Sequence, residues 1–328
     1  MKIVCDDKIP FLRGVFEPYA EVVYLPGAAI AATDVRDADA LVVRTRTRCD
    51  ASLLEGSSVR AIASATIGYD HIDTAYCDAH GIAWSNASGC NSGSVAQYIG
   101  SALAALSERF GLDLGGMTLG IVGVGHVGTK VARVAEKLGM RVLLNDPPRA
   151  VAEGPDGFVS LYEIISGSDI ITLHVPLTAE TYHLFDASRI ASLRPNQILI
   201  NTSRGEVVDG TALRQALRTG RLKAAVLDVW ENEPDIDSEL AELAEIATPH
   251  IAGYSLDGKA AGTTAAVRVV ANVLGISALS DWSVRLPVAT GNDNYDVRRD
   301  SARLKADIKS FEQLRSEYPA RREKPTSD

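Results

Sequence analysis

Three segments of the sequence place a charged or imidazole side chain directly after a short apolar run. They are Arg204 in INTSRGEVVD, Glu233 in LDVWENEP and His250 in TPHIAGYS. Open α/β sheets bind ligands at the carboxyl ends of their strands, so these side chains are candidates for one site. Taken singly, each also has a structural interpretation, as a surface arginine, a glutamate beside the turn at Pro234 and a core histidine.

Together the three side chains match the needs of hydride transfer from a secondary alcohol. That reaction requires a base for the hydroxyl proton and a cation that holds a carboxylate and polarises the oxygen. His250 offers an imidazole, and a carboxylate such as Glu233 beside it would favour the imidazolium form and fix the ring tautomer. Arg204 can hold a carboxylate through two parallel hydrogen bonds, which lysine cannot. The set predicts hydride transfer at C2 of a 2-hydroxy acid.

A glycine-rich turn lies upstream of these segments. Gly123, Gly125 and Gly128 form GVGHVG after the apolar run MTLGIV and before a helix-like stretch. Here the first glycine permits a tight turn, the second admits a pyrophosphate, and the third lets the helix pack on the strand. Asp146 lies 18 positions after Gly128, near the roughly 20 expected for a carboxylate that binds the ribose 2′-hydroxyl. This spacing predicts NAD, while Arg149 leaves NADP open.

The glycine-rich turn belongs to a longer alternation of apolar runs and helix-length gaps. Near-continuous apolar runs of this kind are typical of buried parallel strands. The predicted strands are Lys2–Cys5, Glu21–Leu25, Ala40–Val43, Arg60–Ala65, Ile82–Trp84, Met117–Val122, Arg141–Asn145, Asp169–His174, Gln197–Asn201, Ala224–Asp228 and Glu245–Thr248. The pattern predicts an α/β fold with two Rossmann-like, doubly wound parallel-sheet domains.

Two helix-length stretches, residues 91–111 and 257–275, separate and follow the strand series. The second stretch would return the chain to its first domain, which we therefore expect to be discontinuous. The predicted boundaries are a substrate-binding domain at 1–93 and 255–285 and an NAD-binding domain at 94–254.

Residues 286–328 have a different, highly charged composition. Apolar side chains recur there at helical spacing, at Leu304, Ile308, Phe311 and Leu314, which predicts one short amphipathic helix. A solvated appendage is the alternative interpretation of this stretch.

Composition and charge restrict the class of protein further. The 328 residues are 46% hydrophobic and carry a formal net charge of -9, so the chain lacks the basic character of nucleic-acid-binding proteins. Cys5, Cys49, Cys77 and Cys90 form no CxxC pair, and we expect reduced thiols in a cytoplasmic protein. No apolar stretch approaches the length of a membrane span, so we expect a small-molecule partner and no membrane.

The motifs GIVGVGHVG, LHVPLTAET, INTSRGEVVD, LDVWENEP and TPHIAGY, in this order, resemble those of the D-isomer-specific 2-hydroxyacid dehydrogenases. The resemblance covers at least residues 40–275. It implies that Arg204, Glu233 and His250 are the catalytic residues, with His250 as the acid/base.

The same resemblance implies further contacts with NAD. Asp228 would contact the nicotinamide carboxamide. The backbone would contact the cofactor at His126, Val127, Val175 and Gly253.

The stretches VRTRT, SATIGYDHID, SGCNSGSVAQYI, NDPPR, HIAGYSLDGKAAGT and YDVRRD resemble the branch of this family that oxidises 4-phospho-D-erythronate in vitamin B6 biosynthesis. This implies a phosphorylated 2-hydroxy acid as substrate and two domains that flank a cleft. It also implies a homodimer, with residues 286–328 as a short C-terminal dimerisation segment. By resemblance the substrate contacts are Thr45, Thr66 and Tyr254. Cationic candidates for the phosphate are Arg44, Arg46 and Lys259.

Two alternatives stay open at this point. The substrate could be another 2-hydroxy acid, such as 3-phosphoglycerate, glycerate or lactate, because only the pocket differs within the family. The chain could also be a non-catalytic NAD-sensing protein, since corepressors related to C-terminal-binding protein share this fold. The complete set of Arg204, Glu233 and His250 favours an enzyme.

Overall fold

The computed structural model describes residues 1–287 and 295–323, which form two compact units. Residues 1–91 and 255–287 form the first unit, and residues 92–254 form the second together with 295–323. Each unit contains one parallel sheet packed against helices, which confirms the predicted α/β class. Among the residues described, no helix combines the length and apolar character needed to cross a bilayer.

The first unit is built on a five-stranded parallel sheet with the order β2-β1-β3-β4-β5. Its strands are β1 (Lys2–Asp6), β2 (Glu21–Leu25), β3 (Ala40–Val43), β4 (Ala61–Ser64) and β5 (Ala83–Ser85), and its helices are α1 (Ala32–Val35), α2 (Ala51–Leu54), α3 (Thr74–Ala79) and α11 (Leu256–Leu274). Ile3 and Val42 pack with α11 on one face, while Val4 and Leu41 pack with the short helices on the other. Because both faces of this sheet are covered, its strands are continuous runs of apolar residues.

The second unit is built on a six-stranded parallel sheet with the order β11-β10-β9-β8-β6-β7. Its strands are β6 (Thr118–Val122), β7 (Arg141–Asn145), β8 (Ile170–Leu173), β9 (Ile198–Asn201), β10 (Ala224–Leu227) and β11 (Ile246–Ala247). Its helices are α4 (Ser92–Phe110), α5 (His126–Lys137), α6 (Pro147–Glu153), α7 (Leu161–Gly167), α8 (Ala187–Ser192), α9 (Gly210–Arg218), α10 (Ser238–Leu243), α12 (Val297–Ala306) and α13 (Phe311–Ser316). Short 3-10 turns occur at Gly27–Ala29, Leu114–Gly116, Gly205–Val207, Ser277–Leu279 and Ile308–Ser310.

The C-terminal segment differs from its prediction. One amphipathic helix was expected, but α12 and α13 are separated by the 3-10 turn at Ile308–Ser310, so the single helix is wrong. Asp307 leaves the helical conformation at φ -153°, as a short polar side chain that competes for local hydrogen bonds often does. Val297, Leu304 and Phe311 are completely buried in the second unit. The segment is therefore part of that unit's core rather than a solvated appendage.

Candidate active site

The glycine-rich turn connects β6 to α5 as the sequence predicts. Gly123 has φ +87°, and a Cβ there would lie 2.5 Å from the backbone oxygen of His174. A Cβ on Gly128 would lie 2.1 Å from the backbone oxygen of Gly123, so only glycine lets the helix pack this closely. A Cβ on Gly125 would meet nothing within 4 Å. The space beside the middle glycine is therefore open to a ligand.

The other residues whose backbone is expected to contact NAD also lie in the second unit. His126 and Val127 are the first two residues of α5, a 12-residue helix whose N-terminal amides and dipole favour a pyrophosphate. Val175 follows β8, and its Cγ1 would lie 2.9 Å from a Cβ on Gly123. Gly253 lies in the loop that follows β11.

Asp146 directly follows β7 and lies against the same turn. Its carboxylate accepts hydrogen bonds from the amides of Val124 at 2.8 Å and Arg149 at 3.1 Å, and so also caps α6. The Arg149 guanidinium forms an ion pair with Glu153 and donates to the backbone oxygen of Val124 at 2.7 Å. Because Glu153 neutralises Arg149, the local charge disfavours the extra 2′-phosphate of NADP.

His250 and Glu233 form a hydrogen-bonded pair at the ends of β11 and β10. The Glu233 oxygens lie 2.8 and 3.1 Å from His250 Nδ1, and the Trp230 amide donates to Glu233 Oε1 at 3.0 Å. Burial opposes ionisation of Glu233, but the hydrogen bond and charge of His250 and the charge of Arg315 lower its pKa overall. His250 has φ +56°, an uncommon conformation for a residue with a side chain. The pair has the arrangement of a base oriented by a carboxylate.

Asp228 fixes the loop that carries His250. Its carboxylate is 1% exposed and accepts hydrogen bonds from the Thr248 hydroxyl at 2.6 Å and the amides of Ile251 and Ala252 at 2.8 and 2.9 Å. Burial raises the pKa of Asp228 despite these donors. Its backbone oxygen accepts from the His250 amide at 2.7 Å. This loop-holding role is additional to the expected nicotinamide contact, which stays a prediction.

Arg204 stands at the end of β9, before the 3-10 turn at Gly205–Val207. Its Nη1 donates to the backbone oxygen of Ser203 at 2.8 Å, and its own backbone oxygen accepts from Asn201 at 2.8 Å. A Cβ on Gly205 would lie 1.9 Å from the backbone carbon of Trp230. The loop that bears Arg204 therefore packs directly against the loop that bears Glu233.

A second histidine–glutamate pair, which the sequence analysis did not identify, joins Glu231 in the loop after β10 to His183 in the loop after β8. Glu231 Oε1 lies 2.8 Å from His183 Nε2, and Glu231 Oε2 accepts from the Gly210 amide at 2.9 Å, where α9 begins. Glu231 thus holds a helix end, while Glu233, two residues later, contacts His250. The sequence alone distinguishes these glutamates only through the family motif.

Two other residues near the site were also missed. His174 lies between the hydroxyls of Thr172 at 3.0 Å and Thr202 at 3.2 Å, and burial lowers its pKa to about 3. Its position in LHVPLTAET could have identified it. Arg315 of α13 places Nη1 3.5 Å from Glu233 Oε2 and donates through Nε to the Tyr254 hydroxyl at 3.1 Å. In the sequence, Arg315 is one charge among many in the tail.

In the first unit, Arg44 follows β3 and forms a two-point salt bridge with Asp6, at 3.0 and 2.9 Å. Asp6 is completely buried. Partial burial and the charge of Arg44 both lower the pKa of Lys259, in the first turn of α11. Two cations predicted to bind phosphate are thus close enough to interact.

The other predicted substrate residues lie at neighbouring strand ends. Thr45 and Arg46 are exposed directly after Arg44. The hydroxyl of Thr66, after β4, lies 2.8 Å from that of Ser64. Tyr254 belongs to the second unit, where its hydroxyl contacts Arg315.

The chain resembles proteins with related architecture and motifs. Residues 95–252 match the model for the NAD-binding domain of D-isomer specific 2-hydroxyacid dehydrogenases. The chain is 52% identical to an erythronate-4-phosphate dehydrogenase of Bacteroides fragilis, over 98% of this chain and 97% of that protein. A protein of the same name from Ectopseudomonas mendocina is 44% identical, over 98% and 93%. The crystal structure of D-lactate dehydrogenase from Aquifex aeolicus, complexed with NAD and lactic acid, matches with a TM-score of 0.69 and 26% identity, over 88% of this chain and 100% of that chain.

Proposed function

Because this chain belongs to the D-isomer specific 2-hydroxyacid dehydrogenases, we propose that it oxidises 4-phospho-D-erythronate at C2 with NAD. The products are (R)-3-hydroxy-2-oxo-4-phosphooxybutanoate, NADH and a proton, and the reaction serves pyridoxal 5′-phosphate (vitamin B6) biosynthesis. The observation that carries the chemistry is the His250–Glu233 pair at 2.8 Å. The near-full-length similarity to erythronate-4-phosphate dehydrogenases supports the choice of substrate.

In the proposed mechanism, His250 accepts the proton of the C2 hydroxyl. Glu233 stabilises the imidazolium that forms and fixes the ring orientation through Nδ1. Arg204 holds the substrate carboxylate and polarises the C2 oxygen. NAD would be held by the glycine-rich turn at Gly123, Gly125 and Gly128 and by the first residues of α5, and it would supply the hydride acceptor.

The phosphate of the proposed substrate requires cationic side chains, and the first unit provides candidates. Arg44 is held rigidly by Asp6, and Lys259 lies within its electrostatic influence. We assign the phosphate to these two cations with Arg46. The hydroxyls of Thr45, Thr66 and Tyr254 suit the remaining substrate oxygens, since each can donate and accept.

The test is NADH formation by the purified protein with 4-phosphoerythronate, unphosphorylated erythronate, 3-phosphoglycerate and lactate side by side. We expect kcat/KM for 4-phosphoerythronate to exceed that for erythronate and lactate by at least about 100-fold, because cations placed for a phosphate lose their partner when it is absent. We also expect it to exceed that for 3-phosphoglycerate, whose chain is one carbon shorter. Preference for another acid would retain the dehydrogenase chemistry and refute this substrate.

A His250→Asn variant tests catalysis itself. We expect turnover to fall by about 10²- to 10⁴-fold, the usual contribution of a general base, while NAD binding is retained. If the wild-type protein binds NAD and oxidises none of the acids, a non-catalytic sensor is the better interpretation.

We further propose a cytoplasmic homodimer. The buried free thiols Cys5, Cys49 and Cys77 fit a reducing compartment. Val297, Leu304 and Phe311 are buried within the chain, so we assign the dimer contact to exposed residues of the C-terminal segment. Sedimentation equilibrium of the full chain tests the dimer, and a monomer mass at micromolar concentration would refute it.

A further inference from the structure

The C-terminal segment reaches the residues around His250 at two points. Arg315 lies beside Glu233 and Tyr254. Arg321 is 8% exposed, donates to the backbone oxygen of Ala252 at 2.6 Å and stacks its guanidinium 4.2 Å from the centre of the Tyr295 ring. Both arginines therefore contact the part of the chain that carries the acid/base and its neighbours.

Several contacts anchor this segment. Phe311, at the start of α13, is completely buried, and Leu314 packs against the same apolar cluster. The hydroxyl of Ser301 on α12 accepts from the Ala247 amide at 3.0 Å, directly on β11. Arg315 is thus presented to Glu233 from a fixed helix, and its side chain is 22% exposed.

We propose that Arg315 is a positioning residue that holds the Glu233 carboxylate toward His250 and the Tyr254 hydroxyl in place. The planar guanidinium suits this task, because its Nε and Nη1 point to two different partners at once. Arg315 itself does not touch the His250 ring among the contacts described. This inference rests on the proposed function, in which His250 is the base and Tyr254 contacts substrate.

The charge of Arg315 has a definite effect on Glu233. Among the described contacts, His250 and Arg315 face Glu233, and these two in turn face Asp228, Tyr254 and Glu312. Burial opposes ionisation of Glu233, and the hydrogen bond and charge of His250 together with the charge of Arg315 lower its pKa. Removal of the guanidinium therefore raises the pKa of Glu233, so the carboxylate that orients His250 is lost at higher pH. The acidic limb of the pH–rate profile moves upward.

The experiment compares Arg315→Gln, Arg315→Lys and the matched control Arg303→Gln, which changes an exposed arginine on α12. In Arg315→Gln we expect the acidic limb of log(kcat/KM) to rise by about half a pH unit and kcat to fall about 10-fold. Arg315→Lys keeps the positive charge but cannot contact two partners through a planar guanidinium. We therefore expect the acidic limb of the pH–rate profile to stay in place and KM for the acid to rise by about 3- to 10-fold. Arg303→Gln behaves as the wild type.

The titration of the Glu233 carboxyl, followed by NMR without substrate, separates this inference from the proposed function. A higher titration midpoint in Arg315→Gln supports the inference even if 4-phosphoerythronate is not the substrate. An unchanged midpoint and an unchanged acidic limb in folded Arg315→Gln overturn it. If that variant does not fold, wild-type KM in Arg315→Lys overturns it instead.

Discussion

At the scale of single residues, the segment WENEP presents two glutamates that each bind a histidine. Glu233 pairs with His250 at 2.8 Å, and Glu231 pairs with His183 at the same distance. Only Glu231 also holds the N-terminus of a helix, through the Gly210 amide. The two carboxylates therefore offer a matched comparison between a role in chemistry and a role in structure.

We predict different effects for the isosteric substitutions Glu233→Gln and Glu231→Gln. Without the Glu233 anion, the imidazolium that forms on His250 during proton transfer loses its stabilising partner, so we expect kcat to fall about 10- to 100-fold. Glu231→Gln should lower the free energy of unfolding by about 1 kcal/mol, because one charged hydrogen bond weakens, and leave kcat unchanged.

The measurement is kcat at neutral pH for both variants, with urea denaturation under the same conditions. A comparable fall in kcat in both variants, or a fall in neither, contradicts the assignment of Glu233 as the partner of the base.

The residues of the site differ in how visible they are in the sequence. Arg204, Glu233 and His250 follow apolar runs within recognisable motifs, and the structure brings Glu233 to His250. Arg315 is about 80 positions from Glu233 and lies in a segment where charge is the rule. The spacing of residues along the sequence does not show that α13 packs beside the loop that carries Glu233. That contact depends on the burial of Phe311 and on the tertiary fold.

At the scale of elements, the strand–turn–helix unit from β6 to α5 makes different demands on its glycines. A Cβ at position 128 would collide with the Gly123 carbonyl, whereas a Cβ at position 125 has open space around it. We predict that Gly128→Ala lowers the free energy of unfolding by about 1–3 kcal/mol through overpacking. Gly125→Ala should leave stability within about 0.5 kcal/mol of the wild type.

For NAD affinity, we expect Gly125→Ala to have the larger effect of the two substitutions. The added methyl at position 125 occupies space that the pyrophosphate needs, so we expect Kd for NAD to rise about 10-fold or more in Gly125→Ala. Urea denaturation and titration of NAD by fluorescence measure the two quantities. Wild-type affinity in Gly125→Ala would show that the cofactor does not approach the backbone there.

Regular elements were largely predictable from the sequence. All eleven apolar runs form strands, and each boundary lies within one residue of the prediction, because buried parallel strands require uninterrupted apolar side chains. The tail was harder to predict. Apolar residues do recur at helical spacing, at Leu304, Ile308, Phe311 and Leu314. The helix nevertheless breaks at Asp307, because a short polar side chain competes there for local hydrogen bonds, and hydrophobic periodicity does not show this competition.

At the scale of the whole molecule, the chain builds two cores. The first unit packs β1 and β3 against α11, and its apolar clusters contain no residue of the second unit. The clusters of the second unit likewise draw only on that unit, and they include Leu304 and Phe311 from the C-terminal segment. The residues expected to contact NAD, from Gly123 to Gly253, all lie in the second unit.

This separation predicts a local effect of the cofactor on stability. A ligand that binds one folded unit at 100 times its Kd stabilises that unit by about 2.7 kcal/mol, which slows exchange of its most protected amides about 100-fold. With NAD we therefore expect hydrogen exchange to slow by that factor in β6 and β8, and by less than about 3-fold in β1 and β3. Mass spectrometry of peptides from these strands measures both rates. Equal slowing in the two sheets would mean that the units open together, and that the separate cores do not correspond to separate units of stability.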